Sequence, residues 1–167
     1  NLKRNIEPKI KYFISYNKAM IEVSFMHCNC QDHKPDCEEY SPNLLVTNVA
    51  QEAIRNPHYR SELWTGYKMQ MTLMCIPVCS DIGLEIHEDT DQIIRVEQGF
   101  GRVCMGFCKD ELNFQQNICS GSTIFIPAGT WHNVINTGRC PLKLSTLYAP
   151  PHHPLGTEQH TKADAQN

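Results

Sequence analysis

The sequence has no run of lysine and arginine residues and no long apolar stretch, and these two absences exclude several functions. Its 15 basic and 18 acidic residues leave a net charge of −3. A basic patch is the usual footprint of nucleic-acid or anionic-membrane binding, so we predict neither partner. No apolar segment reaches the roughly 18–20 residues that cross a membrane, and no secretory hydrophobic segment opens the chain. The 167 residues suffice for one domain with its own core.

Cysteine is frequent, but its count of nine is odd, which argues against a closed disulfide framework. Cys104 and Cys119 lie in apolar, strand-like runs, where a free thiol packs as a small hydrophobic group. We therefore predict a reduced, cytoplasmic protein, with an oxidising compartment as the alternative. Three cysteines and two histidines lie between residues 27 and 37. Their spacing is irregular for zinc, so we predict no structural zinc there, with a zinc site as the alternative.

The pattern of residues divides the chain into three parts. Residues 1–46 form an N-terminal extension of mixed charged and aromatic residues, residues 47–150 carry a helix followed by strands, and residues 151–167 form a tail predicted as coil. A helix is predicted within residues 47–62, because a capping residue and good helix formers open this segment and Pro57 disfavours helical geometry before it.

From Leu63 onward, apolar and polar residues alternate with period two in short runs separated by glycine, proline and asparagine. The predicted strands cover residues 67–74, 84–87, 92–98, 102–108, 112–115, 122–126, 132–136 and 142–148. Many short strands at even spacing predict an all-β sandwich or barrel.

Two of these runs contain histidine at positions suited to metal binding. Residues two apart in a strand share a face, so Glu85 and His87 point the same way. Gln92 shares its face with apolar residues, whereas Asp91 shares a mostly charged face, so we predict that Gln92 points inward. With His132 from a later strand, these side chains can meet at one point and suit a first-row divalent ion. The alternative is a hydrogen-bonded polar core.

The run from Gly121 to Asn136 resembles the second cupin motif in full. After Gly121 come five residues, Pro127, one residue, Gly129, two residues, His132, three residues and Asn136. The resemblance to cupins covers roughly residues 65–150. It implies an all-β double-stranded β-helix, the cupin jelly-roll barrel, with the N-terminal extension and one short helix added.

The earlier run resembles the first cupin motif with two substitutions. Glu85 stands where the motif has its first histidine, His87 is the second histidine, Gln92 occupies the glutamate position, and Gly99 closes the motif. The resemblance implies a divalent metal (Zn, Mn, Fe or Ni) held by Glu85, His87, Gln92 and His132. The segments at 63–66 and 148–154 are similar to small microbial cupins often labelled mannose-6-phosphate isomerase-like.

The last predicted strand adds a candidate catalytic residue. Lys143 and Ser145 indicate an outer face, so Tyr148 is predicted to point inward, where it can hydrogen-bond a ligand or act as an acid. The alternative is an ordinary aromatic at the end of the barrel. His152 and His153 are predicted to be solvated tail residues, with folding over the barrel opening as the alternative.

Three functions fit this site and a small-molecule substrate. The first is a metal-dependent isomerase of a sugar, sugar phosphate or small carbonyl compound, with Glu85 as the base. No inward cluster of arginine or lysine is evident to bind phosphate, because Arg95 is predicted to face outward. The second is a mononuclear dioxygenase with iron, nickel or copper, and the third is a non-enzymatic binding protein.

Assembly is predicted from the strand face opposite the ligands. Leu84 and Ile86 would form an apolar stripe on the outside of the barrel, and paired exposed apolar residues usually meet a partner. The β-prone segment at 12–25 can cover the stripe in its own chain or in a neighbour. We predict a homodimer, with cover within one chain as the alternative.

Overall fold

The computed structural model describes residues 42–165, which form two antiparallel β-sheets and one short α-helix. Most of the predicted N-terminal extension, including the cysteine and histidine cluster at 27–37 and the segment at 12–25, lies outside the described residues. The predictions for those segments therefore stay predictions.

Helix α1 (Val49–Arg55) begins at the predicted cap. The Oδ1 of Asn48 accepts a hydrogen bond from the backbone N–H of Gln51 over 3.1 Å, which satisfies one of the free N–H groups of the first turn. The helix ends before Pro57, the residue predicted to stop it, but the helical segment predicted to extend to residue 62 is wrong in its last part because a strand already begins at Arg60. No helix within residues 42–165 is long and apolar enough to cross a membrane.

Nine strands follow, and all pairings between them are antiparallel within the described part of the chain. They are β1 (Arg60–Thr65), β2 (Gln70–Ile76), β3 (Asp91–Gln98), β4 (Phe100–Gly106), β5 (Phe114–Cys119), β6 (Thr123–Ile126), β7 (Trp131–Asn136), β8 (Leu142–Ala149) and β9 (Glu158–Gln159). A 3₁₀ turn at Ala163–Ala165 ends the described chain.

The larger sheet has the order β6-β3-β8-β2-β1-β9, and the smaller has the order β5-β4-β7. The predicted strand at 84–87 is instead a segment joined to β7 by single bridges, at Asp81 with Ile135 and at Glu85 with His132. The tail predicted as coil supplies β9, which pairs with β1. The strand pattern confirms the predicted all-β architecture.

The buried strand faces change from apolar to polar along their length. On β8, Leu144 lies in the apolar core, whereas Thr146 and Tyr148 further along the same face bury hydroxyl groups completely. The register aligns these layers between strands, because Thr146 lies opposite Thr72 of β2 and Tyr148 opposite Gln92 of β3. One end of the interior is therefore an apolar core, and the other is a layer of buried polar side chains, here called the polar chamber.

The outer face of β3 and β8 is less exposed to solvent than its charged residues predicted. Lys143 is 9% exposed, Ser145 6% and Glu97 9%. The Lys143 Nζ donates to the carbonyl of Asn56 at the end of α1 over 2.6 Å, and Ser145 donates to Glu97 over 2.7 Å. The prediction that these residues meet water is wrong because α1 packs on this face, whereas Arg95 is exposed as predicted.

The six cysteines within residues 42–165 are all free thiols. Cys104 on β4 is buried, as its apolar surroundings predicted. Cys119 is exposed, contrary to prediction, because β5 is the edge strand of the smaller sheet and most of its residues face solvent.

Candidate metal centre

Glu85, His87 and His132 bring three possible metal ligands to one point in the polar chamber. The Oε1 of Glu85 lies 3.3 Å from the Nε2 of His132 and 3.6 Å from the Nε2 of His87. His132 is completely buried, and His87 is 7% exposed. The structure thus brings together three of the four side chains predicted to bind metal.

Backbone pairing places these ligands. Glu85 and His132 form an antiparallel bridge with two N–H to carbonyl hydrogen bonds of 3.0 Å, so their side chains project from the same side. The carbonyl of His87 accepts a hydrogen bond from the N–H of Gly129 over 2.8 Å. Gly129 has a φ of +73°, a conformation that glycine adopts without steric cost, which explains the glycine at this motif position.

The hydrogen bonding of His132 leaves its Nε2 free to bind a cation. Its Nδ1 lies 2.9 Å from the carbonyl oxygen of Thr130. A carbonyl only accepts, so Nδ1 carries the proton and the Nε2 of the neutral ring presents its lone pair to Glu85. Neither Nε2 nor the Oε1 of Glu85 has a hydrogen-bond partner within the described residues. A lone pair facing a carboxylate oxygen calls for a cation or a proton between them.

The electrostatics of Glu85 favour its ionised form. Burial acts to raise its pKa, but hydrogen bonds donated by His132 and His87, with the positive charges of an imidazolium and of Arg60, outweigh burial and lower the pKa to about 2. Glu85 is therefore a carboxylate at neutral pH, as a metal ligand must be.

Gln92 points inward, as the face argument predicted. It is 2% exposed, and its Oε1 lacks a hydrogen-bond partner among residues 42–165. Asp91 points outward and accepts a hydrogen bond from the N–H of Ala128 over 2.9 Å. Gln92 is therefore available as a fourth ligand, whereas Asp91 is engaged in holding the loop before β7.

The arrangement fits a first-row divalent ion in spacing and in chemistry. Bonds of about 2.0–2.2 Å separate neighbouring ligand atoms by roughly 3.4 Å in a tetrahedral site and roughly 3.0 Å in an octahedral one. The observed separations of 3.3 and 3.6 Å lie close to this range. Two imidazole nitrogens, one carboxylate oxygen and an amide oxygen are a donor set that such ions accept.

The larger sheet contributes hydroxyl groups to the same chamber. The hydroxyls of Thr72, Thr146 and Tyr148 are buried and have no hydrogen-bond partner of good geometry in the described chain, although Thr72 and Arg60 lie close enough to the Tyr148 hydroxyl to act on its pKa. Burial raises the pKa of Tyr148, and the Arg60 charge opposes this only in part, so the phenol stays protonated at neutral pH. The ring of Tyr148 lies 5.7 Å from that of His87, which places the predicted catalytic candidate beside the ligands.

Arg60 is a chamber residue that sequence reasoning missed. It is 5% exposed, its Nη1 donates to the Oε1 of Gln159 over 3.0 Å, and its Nε finds no partner among residues 42–165. Its charge acts on the pKa of both Glu85 and Tyr148. The signal that could have found it is Pro57, since a helix that ends there leaves residues 60–65 as a strand.

The prediction of solvated tail histidines is wrong for His153, which is half-buried, whereas His152 is exposed as predicted. The ring of His152, although exposed, lies 4.1 Å from that of His87 between centroids, and the ring of His153 lies 4.9 Å from that of Tyr148. Gln70 holds this part of the tail against the barrel, because its buried Oε1 accepts a hydrogen bond from the backbone N–H of His153 over 2.8 Å. Burial lowers the pKa of His153 to about 3, so this ring is neutral.

The fold and this centre define the class of protein: the chain belongs to the cupin superfamily. The family model described as a cupin domain matches residues 72–148. The match confirms the predicted cupin fold.

Particular relatives are similar over most of the chain. The uncharacterized protein YrkC of Bacillus subtilis (strain 168) is 54% identical over 128 residues, which are 77% of this chain and 69% of that protein. The uncharacterized protein L612 of Acanthamoeba polyphaga mimivirus is 42% identical over 114 residues, 68% of this chain and 69% of that protein. The crystal structure of BH2720 from Bacillus halodurans matches with a TM-score of 0.74 and 51% identity, covering 81% of this chain and 97% of that one.

Proposed function

We propose that this cupin binds one divalent metal ion through Glu85, His87, Gln92 and His132 and isomerises a small, oxygen-rich carbonyl compound. The proposal rests on one observation above all. The chamber that contains the candidate ligands is lined with the buried hydroxyls of Thr72, Thr146 and Tyr148 and the Nε of Arg60, and these atoms have no hydrogen-bond partner of good geometry within the described residues. Unpaired buried polar groups are costly, so a chamber of this kind suits a substrate that supplies several oxygens.

The metal and the protein groups would have separate tasks. A divalent ion (Zn, Mn, Fe or Ni) held here would act as a Lewis acid on a carbonyl oxygen. Tyr148, protonated and buried, can donate a hydrogen bond to another substrate oxygen. Thr72 and Thr146, opposite one another on β2 and β8, can orient neighbouring hydroxyls.

Arg60 supports an anionic group on the substrate. Its buried guanidinium carries a fixed positive charge beside the chamber and retains an N–H group without a partner in the described chain. No inward cation that could bind a phosphate was evident from the sequence, and Arg60 supplies one such charge. A sugar phosphate, the substrate class of the mannose-6-phosphate isomerase-like group, is therefore our first candidate, with neutral sugars second.

Isomerisation also needs a group that moves a proton between adjacent carbons. Glu85 remains our candidate. Its Oε1 faces both imidazoles at 3.3 and 3.6 Å, so the proton would be taken by Oε2. Tyr148 would supply the acid.

Solvent exchange tests this proposal directly. The purified full chain, loaded with each metal in turn, is incubated in D₂O with aldoses and aldose phosphates, including mannose 6-phosphate, and followed by NMR. We expect deuterium at the carbon next to the carbonyl and formation of the isomer. His132→Ala should abolish both, whereas Glu111→Gln, at an exposed position, should change neither. No exchange on any substrate by the metal-loaded protein would contradict the proposal.

A mononuclear dioxygenase is the second candidate, because two histidines and one carboxylate are the ligand set of many non-haem iron enzymes. The discriminating measurement is oxygen consumption by protein reconstituted anaerobically with iron, nickel or copper. Substrate-dependent oxygen uptake without deuterium exchange would favour oxidation. Tight binding of a sugar with neither activity would favour a non-enzymatic binding protein.

We further propose a homodimer in a reducing, cytoplasmic environment. Leu84 is 40% exposed on the face opposite the ligands, beside half-buried Ile86, which supports the predicted apolar stripe. The free state of all six described cysteines supports a reducing compartment. Light scattering of the full chain tests the assembly, and a monomer at high micromolar concentration would overturn it.

A further inference from the structure

A second cluster of metal-ligating side chains lies on the outside of the molecule, where β9 pairs with β1. His58, Glu158 and His160 each offer a ligand atom, and these atoms all lie within 4.8 Å of one another. The Oε1 of Glu158 is 3.4 Å from the Nε2 of His58 and 3.6 Å from the Nε2 of His160. No chamber residue takes part in the cluster, so it is separate from the candidate metal centre.

The backbone holds the three residues in place. Asn56 fixes His58 from both sides, because its Oδ1 accepts from the N–H of His58 and its Nδ2 donates to the carbonyl of His58, each over 3.0 Å. The carbonyl of His160 accepts from the N–H of Tyr59 over 3.3 Å. Glu158 lies on β9 and His160 follows directly after its end, two residues along the chain. The cluster is built on paired backbone rather than on a free loop.

The two imidazoles of the cluster lie at hydrogen-bond distance from each other. The Nδ1 of His160 lies 2.8 Å from the Nδ1 of His58, with the ring centroids 4.4 Å apart. At this distance one Nδ1 carries the proton that the other accepts, so in a neutral pair the donating ring turns an Nε2 lone pair toward the Glu158 carboxylate. That lone pair and the Glu158 carboxylate, 3.4 and 3.6 Å from the two Nε2 atoms, together form a place where a cation can bind.

We propose that His58, Glu158 and His160 form a second site, for a borderline divalent cation such as Zn²⁺, that fastens β9 to β1. Two imidazoles and a carboxylate are ligands that zinc accepts, with solvent completing the shell. Gln159 lies between two of these ligands on β9 and accepts the hydrogen bond from Arg60. A cation on the outside would therefore also steady the residue that holds Arg60 in the chamber.

Zinc titration of the full-length chain tests this site by comparing the wild type with variants that lack one ligand. Equilibrium dialysis with Zn²⁺, read by mass spectrometry of the metal, compares the wild type with Glu158→Gln, His160→Ala and the exposed-site control Glu111→Gln. We expect the first two to lose one zinc equivalent or to bind it at least about tenfold more weakly, because one ligand of three is removed. Zinc retained by the chamber ligands shows that each variant is folded. Unchanged stoichiometry and affinity in both variants would overturn the proposal.

A second readout tests the fastening. Amide hydrogen exchange of residues 157–160 should slow at least about threefold when Zn²⁺ is added to the wild type, and should not slow in Glu158→Gln. Zinc that binds without slowing this exchange would overturn the fastening role.

Discussion

Within the described residues, two clusters of two histidines and one glutamate have nearly the same spacing and opposite surroundings. In each, one carboxylate oxygen lies between two imidazole nitrogens, at 3.3 and 3.6 Å in the chamber and at 3.4 and 3.6 Å on the surface. The chamber cluster is Glu85, His87 and His132, and the surface cluster is His58, Glu158 and His160. Ligand type and spacing are therefore matched, and burial is the variable.

Burial changes the free-energy cost of leaving the ligands without an ion. The side chain of Glu85 is 24% exposed and that of His132 is completely buried, so neither group can replace an ion with bulk water freely. The side chains of Glu158 and His160 are 54% and 65% exposed, so water hydrates them and screens their charges. The same three ligands thus suit a tightly held functional ion in the chamber and a weaker structural ion on the surface.

The largest expected effect is a matched pair of substitutions at the two glutamates. Glu85→Gln should weaken metal binding in the chamber by roughly 100-fold or more, since it removes the only negative ligand from a buried site. Glu158→Gln should weaken the surface site by roughly tenfold. Isothermal titration with Zn²⁺ measures both, and an equal loss at the two sites would show that burial does not set affinity.

Next in size is the effect of removing a chamber hydroxyl. Tyr148→Phe should lower turnover about 100-fold. It should change the melting temperature little, because that hydroxyl makes no hydrogen bond of good geometry within residues 42–165.

Tyr59→Phe is the control for this substitution. The hydroxyl of Tyr59 donates to the carbonyls of Asp81 and Ile82 over 3.2 and 3.0 Å, outside the chamber. Its loss should cost about 1 kcal/mol of stability and leave turnover intact. Thermal unfolding and the exchange assay separate the two variants. A Tyr148→Phe protein that is destabilised yet fully active would show a purely structural role.

The positions of the candidate ligands were predictable from sequence because extended backbone with a period of two places Glu85 on one side with His87, and Gln92 with apolar neighbours. Arg60 was not predicted as a chamber residue because it lies within the segment 47–62 that was assigned to the helix, whereas the structure has it on β1. The burial of Lys143 depends on α1 covering the outer face, and no pattern along β8 reports that cover. His153 is held by Gln70, 83 residues away in the chain, so its position is a property of tertiary contacts alone.

A smaller effect is expected at the amide ligand. Gln92→Glu adds a negative charge to the chamber site and should raise affinity for hard divalent ions about tenfold at neutral pH. Titration with Mn²⁺ measures the change against the wild type. Unchanged or lower affinity would remove Gln92 from the ligand set.

The smallest expected effect concerns the ion pair between Asp81 of the barrel and Lys162 of the tail. Asp81 pairs with Lys162 and accepts a hydrogen bond from the backbone N–H of Gly83 over 2.6 Å. Burial acts to raise the pKa of Asp81, but the two contacts outweigh burial and lower the pKa. The contribution of Asp81 to stability is present above the ordinary carboxyl pKa and is lost as pH falls through the lowered value. Asp81→Asn should therefore cost less than about 1 kcal/mol at pH 7 and nothing at strongly acidic pH. Urea unfolding at both pH values checks this, and a cost that grows toward acid pH would contradict it.

The most direct test of the chamber as a metal site is the metal content of the full chain carrying His87→Ala and His132→Ala together. We expect the wild type to hold one divalent ion that survives dialysis against a weak chelator, and the double variant to lose it while the zinc bound at His58, Glu158 and His160 is unaffected. Retention of that tightly held ion by the double variant would contradict the chamber site.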